Sequence, residues 1–451
     1  MPGDHRAFHR RQAPRTPGWI CSALPPKVRG YARPGLPAAP VSAGDSMQTR
    51  FPHSVRATAE GAAVERIVRK CVHCGFCNVT CPTFQIRRDE LDGPRGRIYQ
   101  IKDAIETGVV APSLRTHLDR CLSCRACETT CPAGVEYGRV LDYGREVAEQ
   151  AAPRGTSERL ARWGLRQVLP HAGRFAALLG LGRLARPLLP ASLKALIPPA
   201  RAAGPRPTIR HARRMLLLAG CVQDALDPRI NAATARVLDR LGIQLDVIAG
   251  SGCCGAISHH LTATDEARDF MRRNIDAWWP QLQAGAEAIV VTASGCAVQV
   301  KDYGRLLADD PAYAERAQKI ADCARDLSQM LAAEDLSSLK PAPGAPRRIA
   351  FQSPCTLQHG QRLGGVVEGL LRRAGFELLP VADGHVCCGA AGTYALLQRD
   401  LSHELRGRKL ANLAASGSEL IVTANIGCLS HLQGRAQVPV RHWIELFDPA
   451  D

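Results

Sequence analysis

The chain has 451 residues, 45% of them hydrophobic, enough for about three domains with sizeable cores, so its 18 cysteines are not needed as staples. A net charge of +16 points to an anionic surface or an acidic partner. Aromatics make up only 5% with no interleaved basic–aromatic stripe, which argues against nucleic acid. No apolar run of about 18 residues occurs, so no membrane-spanning helix is expected.

Residues 1–46 hold eight prolines and seven Lys/Arg against two Asp, a net of +5. They have no apolar core of signal-peptide length. The stretch reads as a disordered tail, or as an extension before a true start at Met47. Ala63, Val64, Ile67 and Val68 predict a helix within residues 57–70 that leads into Cys71.

From there a cysteine run is written twice. The first is Cys71-Val-His-Cys74-Gly-Phe-Cys77-Asn-Val-Thr-Cys81-Pro82; the second is Cys121-Leu-Ser-Cys124-Arg-Ala-Cys127-Glu-Thr-Thr-Cys131-Pro132. Both follow C-x2-C-x2-C-x3-C-P, the spacing of two-cluster [4Fe–4S] ferredoxins. Three closely spaced thiolates reach three corners of one cube, and the fourth, turned away before a proline, serves the neighbouring cube. The expected sets are Cys71, Cys74, Cys77 and Cys131 for one cluster, and Cys121, Cys124, Cys127 and Cys81 for the other. Structural zinc usually takes two separated cysteine pairs, so it fits poorly. Metal-bearing thiolates argue for a reducing cytosol. Between the runs, Ile98, Ile101, Ala104 and Ile105 predict a helix after the turn Asp92-Gly-Pro-Arg-Gly96, and a shorter one spans about 114–119. A mainly helical domain over 47–150 follows from this.

Residues 151–212 are basic, apolar and broken by proline, as in Arg159-Leu-Ala-Arg-Trp163-Gly-Leu-Arg166 and Phe175-Ala-Ala-Leu-Leu179. Amphipathic helices of this kind lie on a membrane surface, on the chain's own domains or on a partner subunit.

A second repeat begins at Arg213. Cys221 pairs with Cys355 and Cys254 with Cys388 at a spacing of 134, and Cys296 with Cys428 at 132. This length implies two domain copies, over 213–340 and 345–451, rather than a solenoid unit. Expected strands are 215–219, 245–249 and 288–292 in the first copy, and 349–352, 377–381 and 420–423 in the second. Helices are expected at 231–241, 265–279, 364–374 and 401–414. Such alternation argues parallel sheets with crossover helices, whose ligands bind beyond the strands' carboxyl ends. Cys221, Cys253, Cys254 and Cys296 each follow a strand, as do Cys355, Cys387, Cys388 and Cys428. Each set of four is a candidate site for an iron–sulfur cluster, for zinc or another metal, or for bare thiols. Cys323 lacks a repeat partner and reads as core.

A two-cluster motif followed by two Cys…Cys-Cys-Gly…Cys domains resembles the CCG-domain electron-transfer family. Within it the chain looks most like the iron–sulfur subunits of glycolate oxidase (glycolate dehydrogenase). The segments Glu90-Leu-Asp-Gly-Pro-Arg-Gly-Arg-Ile98, Asn274-Ile-Asp-Ala-Trp-Trp279, Cys355-Thr-Leu-Gln-His359, Cys388-Gly-Ala-Ala-Gly-Thr-Tyr394 and Thr423-Ala-Asn-Ile-Gly-Cys428 carry the likeness, from about Met47 onward. The resemblance implies FAD-binding partner subunits that oxidise glycolate to glyoxylate. It also implies quinone or another membrane carrier as final acceptor, at the cytoplasmic face of the inner membrane. Related subunits act with lactate, glycerol-3-phosphate or heterodisulfides. The chain has no G-x-G-x-x-G at a strand–helix turn, so FAD itself is not expected here. Many relatives close each domain with C-x-x-C, whereas Cys296 is followed by Ala-Val-Gln299 and Cys428 by Leu-Ser-His431. One thiolate of the family's five-thiolate cluster is thus missing from each copy. His431 reads either as a substitute ligand in the second copy or, the favoured reading, as a hydrogen-bonded surface histidine.

Overall fold

A computed structural model describes residues 47–190, 194 and 197–448; the tail 1–46 lies outside the described residues. A mainly helical unit comes first, and two four-stranded sheets follow. The sheets contain β1 (Arg213–Leu218), β2 (Ile243–Val247), β3 (Ile289–Val291), β4 (Ala324–Asp326), β5 (Arg348–Gln352), β6 (Glu377–Leu378), β7 (Leu420–Thr423) and β8 (Val440–His442). Their orders are β2-β1-β3-β4 and β6-β5-β7-β8, and every pairing is parallel. Parallel strands buried on both faces read as continuous apolar runs, as Met215–Leu218 and Leu420–Val422 do.

Two differences from the expected elements have local causes. β2 starts two residues early, because Ile243 pairs with Arg213 and the Arg214 guanidinium meets Asp246 at 3.0 Å. The edge strands β4 and β8, three residues each, carry no periodicity of their own and exist through pairing with β3 and β7.

The two sheet units interlock. The turn Trp443–Phe447 that ends the second unit packs on the first unit's helix Arg229–Arg240. Reciprocally, Leu327–Leu331, ending the first unit, packs on Val366–Arg373 of the second. One apolar core runs through both, from Met215 and Val290 to Val422, Trp443 and Phe447. At the seam a ring nitrogen of His442 meets the Thr292 carbonyl at 3.1 Å, and Gln361 donates to Asp326 at 2.9 Å. Cys323 is buried in the first unit's core, but it is disulfide-bonded rather than the plain core residue expected.

In the helical unit, helices Ala59–Arg69, Pro94–Thr107, Pro112–Asp119 and Tyr137–Ala151 pack together and bury the predicted residues Val64, Ile98, Ile101 and Ile105. Their junction is held by a fully buried carboxylate. Asp92 accepts from Arg120 at 2.9 Å, meets His117 Nδ1 at 2.9 Å and pairs with the buried Arg97 at 3.6 Å. Arg97 also donates to the His117 carbonyl at 2.7 Å and to Thr83 Oγ1 at 3.2 Å. Burial works against the Arg97 charge, yet Cys121, Tyr137, Cys81 and Asp92 around it more than offset that, and its pKa is raised.

Two outcomes follow from these contacts. Replacing Arg97 by Met leaves Asp92 short of a partner in the interior, and thermal unfolding should register a loss of about 3–5 kcal/mol. Burial depresses His442 to about 4, so the folded state refuses a proton that the unfolded chain takes up near pH 6.5. Its contribution is complete above pH 6.5 and is lost as pH falls toward 4, on the order of 2 kcal/mol by pH 5. The gap in urea midpoint between pH 7.5 and 5 should shrink in His442→Gln, which cannot titrate there.

Candidate iron–sulfur and cysteine-rich sites

The two cysteine runs adopt the same backbone. His73 and Gly75 in the first, and Ser123 and Arg125 at the matching places in the second, have left-handed φ of 57°, 80°, 53° and 59°. Three of these are not glycine, a strain retained where a loop must wrap a centre. Each run then enters a short helix, Phe76–Val79 or Ala126–Thr130, and the last cysteine leaves in extended conformation before its proline.

The eight sulfurs line two adjoining cavities. The first is lined by Cys71, Cys74, Cys77 and Cys131, the second by Cys81, Cys121 and Cys124. Cys127, Pro94 and Tyr137 border both. Each cavity therefore draws the fourth cysteine of the other run. Arg95 faces the first cavity and donates to Glu90 at 2.6 Å and the His73 carbonyl at 3.0 Å. Arg97 and Arg125 face the second, and Arg125 also reaches Asp302 of the first sheet unit at 2.8 Å. The arginines near the runs are thus fixed into the walls. Tyr137, six residues past Cys131, gave no signal in the sequence; its hydroxyl points to Cys121 Sγ at 3.8 Å.

Among the eight, Cys74 is exposed, Cys77 and Cys131 are half-buried, and the rest are buried. Burial pushes Cys77 up to about 12 and lifts Cys71, Cys124 and Cys127 as well. Such thiols are poor nucleophiles at neutral pH, and a metal centre must displace their protons. At least four sulfurs per cavity, apolar walls and flanking guanidinium groups suit an anionic cluster.

The sheet units each gather their four cysteines beyond the strands' carboxyl ends. In the first, neighbouring thiols interact in the order Cys221, Cys253, Cys254, Cys296. In the second, the sequence is Cys355, Cys387, Cys388, Cys428, with 3.8 Å between Cys355 and Cys387 sulfurs. The Gly255 and Gly389 amides each donate to the sulfur two residues back at 3.4 Å. Both glycines are left-handed (φ 87° and 91°), and a Cβ there would lie 2.9 Å from the Ala267 carbonyl oxygen or 2.6 Å from that of Ser402. That explains the Cys-Cys-Gly triplet in both copies.

The supports differ. In the first unit the buried Asn274 accepts from the Gly252 amide at 2.8 Å and donates to the Cys253 carbonyl at 2.8 Å, while Tyr303 donates to the Cys254 carbonyl at 3.0 Å. Hydrogen bonds from Cys221 and Cys254 hold Cys253 well below an ordinary thiol. In the second unit the Cys387 bond and burial push Cys355 well up. His431 is half-buried rather than on the surface, 3.4 Å from Ser402 Oγ, whose hydroxyl donates to the Gly389 carbonyl at 2.9 Å. The surroundings differ too. Cys387 and Cys355 share an apolar cluster with Cys124 and Leu122 of the helical unit, and Tyr394 donates to the Arg120 carbonyl at 3.1 Å. Cys221 and Cys253 cluster instead with Phe270, whose ring lies 5.7 Å from His171.

Residues 67–135 match the family described as a 4Fe-4S dicluster domain, and residues 215–301 and 349–433 each match a cysteine-rich domain, CCG. A solved protein from Helicobacter pylori, described as hypothetical, shares the fold at TM-score 0.52 and 8% identity, covering 86% of this chain and 71% of that one. "Lactate utilization protein A" of Bacillus licheniformis is 29% identical over 49% of this chain and 91% of its own length. The "Probable glycolate oxidase iron-sulfur subunit" of Bacillus subtilis is 29% identical over 80% of this chain and 88% of that protein. The "Glycolate oxidase iron-sulfur subunit" of Escherichia coli K12 is 50% identical over 90% of this chain and 99% of that protein. With its dicluster domain, its paired CCG domains and an alignment over almost all of that relative, the chain belongs to the family of glycolate oxidase iron–sulfur subunits, electron-transfer proteins whose cofactors are [4Fe–4S] clusters.

Proposed function

We propose that this chain receives electrons from FAD-bearing partner subunits that oxidise glycolate to glyoxylate, and passes them to a quinone or similar acceptor. The observation that carries the reading is the pair of cavities with a common wall, each lined by at least four cysteines, one bearing the exposed Cys74 and the other lined by buried cysteines. When bound, a [4Fe–4S] cluster accepts and releases one electron at a time with little rearrangement. Cys71, Cys74, Cys77 and Cys131 would hold one cluster, and Cys81, Cys121, Cys124 and Cys127 the other. The chain's remaining part is positional. Pro94, Cys127 and Tyr137 keep the two cavities adjacent, and Arg95 and Arg97 set positive charge beside them.

The exposed edge at Cys74 is flanked by Phe76 and Val79 on the following helix, with Leu91 and Tyr99 also exposed nearby in the same unit. A flavin subunit seated on these side chains would bring its redox group to the one open cavity rim. On the buried side, Cys124 packs against the second cysteine-rich site, which supports Cys355, Cys387, Cys388 and Cys428 as the next redox station. Cys221, Cys253, Cys254 and Cys296 would bind a metal or cluster away from that contact. The absence of any helix long and apolar enough to cross a membrane, among the described residues, leaves a quinone to be met at the bilayer surface.

Co-expression with candidate flavoproteins, followed by assay with glycolate and lactate in turn and an artificial acceptor, tests the substrate; glycolate is expected to support the faster turnover. Anaerobically reconstituted protein should carry about eight iron and eight sulfide in the helical unit, with any metal at the cysteine-rich sites in addition, and Cys81→Ala should lose about four of each. After dithionite, electron paramagnetic resonance should show two interacting centres from the helical unit in the parent and only one of them in Cys81→Ala. The signal left should be that lost in Cys74→Ala, because the two cysteines are assigned to different cavities.

A further inference from the structure

Residues 151–212 contain eleven Lys/Arg and a single acidic residue, Glu158, so this stretch holds +10 of the chain's +16. Glu158 is already committed to Arg154 and Arg162, leaving no free negative charge there. Two consecutive helices, Thr156–Val168 and Ala172–Ala185, are fastened to the body along one side. Arg162 is buried beside Asp119, Arg166 meets Glu266 at 2.7 Å, and Arg183 donates to the Ala225 carbonyl at 2.9 Å.

Among the described residues, nothing covers their other side. Of the fourteen large hydrophobic side chains exposed among the described residues, five fall on these helices, Leu160, Trp163, Leu178, Leu181 and Leu184, and Leu188 follows in the next turn. Leu184 is 80% and Leu188 90% exposed. The helix Ala172–Ala185 is apolar around most of its circumference and buries none of its residues. A helix of that composition is ordinarily enclosed by something. Arg159 and Arg174 lie exposed on the same two helices, and Arg206 and Arg210 are exposed just beyond.

We infer that these two helices form a docking face for an anionic lipid bilayer, with the leucines and Trp163 entering the headgroup boundary and the arginines meeting lipid phosphates. Leucine and tryptophan on one side, arginine around them and almost no acid are the composition of an interfacial helix. Each cation near an anionic leaflet adds to the attraction. The inference rests on the proposed delivery of electrons to a membrane carrier, and it names the surface that would hold the chain there.

The test is flotation of the full-length, cluster-loaded protein with two vesicle preparations, pure phosphatidylcholine and equal parts phosphatidylcholine and phosphatidylglycerol. Binding to the anionic vesicles should be at least about a hundredfold stronger and weaken with salt. The double variant Leu181→Glu, Leu184→Glu should lose about a hundredfold of it. Both side chains are exposed, so cluster absorbance and iron content should stay at parental values. Absent or equal binding to the two preparations, or undiminished binding by the double variant, overturns the inference. Loss of co-purifying flavoprotein in that variant, with no vesicle binding by the parent, would assign the face to a protein partner instead. None of these outcomes touches the electron-transfer reading, which stands or falls on the reduction of the clusters.

Discussion

A cubic cluster needs four thiolates arriving from different directions, and a run of three closely spaced cysteines supplies only three of them. The fold of the helical unit answers that constraint by crossing the two runs, so that Cys131 closes the first cavity and Cys81 the second. Neither cavity is complete without both runs. The helices between and after them must therefore return the chain to one spot, and the buried Asp92 with Arg97, His117 and Arg120 fixes that return.

The same economy governs the sheet units. Parallel strands deliver every cysteine to the carboxyl edge, where four sulfurs meet in each copy without any two being near in sequence apart from the Cys-Cys pair. Exchange of terminal segments between the copies makes one core of them. Their equivalence ends at the surface each presents. The second copy turns its cysteines toward Cys124, while the first sets them beside Phe270 under the basic helices. Duplication produced two sites, and packing gave them different neighbours.

Charge is distributed on the same lines. Inside, arginines are individually tied: Arg97 to Asp92, Arg125 to Asp302, Arg154 to Asp119. Most of the uncompensated charge is gathered into one short stretch, beside the largest group of exposed leucines.

Much of this was written locally. The doubled C-x2-C-x2-C-x3-C-P run, the matched Cys-Cys-Gly triplets and the strand–helix alternation are periodic or spaced signals, so they identify clusters, repeats and parallel sheets without coordinates. His73, Ser123 and Arg125 could not be recognised as left-handed, because that conformation is imposed by the loop they close. β4 and β8 were invisible for a related reason: three residues carry no pattern, and partners make them strands. Tyr137 between the cavities, His442 at the seam and Cys124 against Cys387 depend on contacts between segments far apart in the chain. Spacing along a chain fixes what a segment is able to bind; which segments become neighbours is settled by burying their apolar faces together, and that happens only in three dimensions.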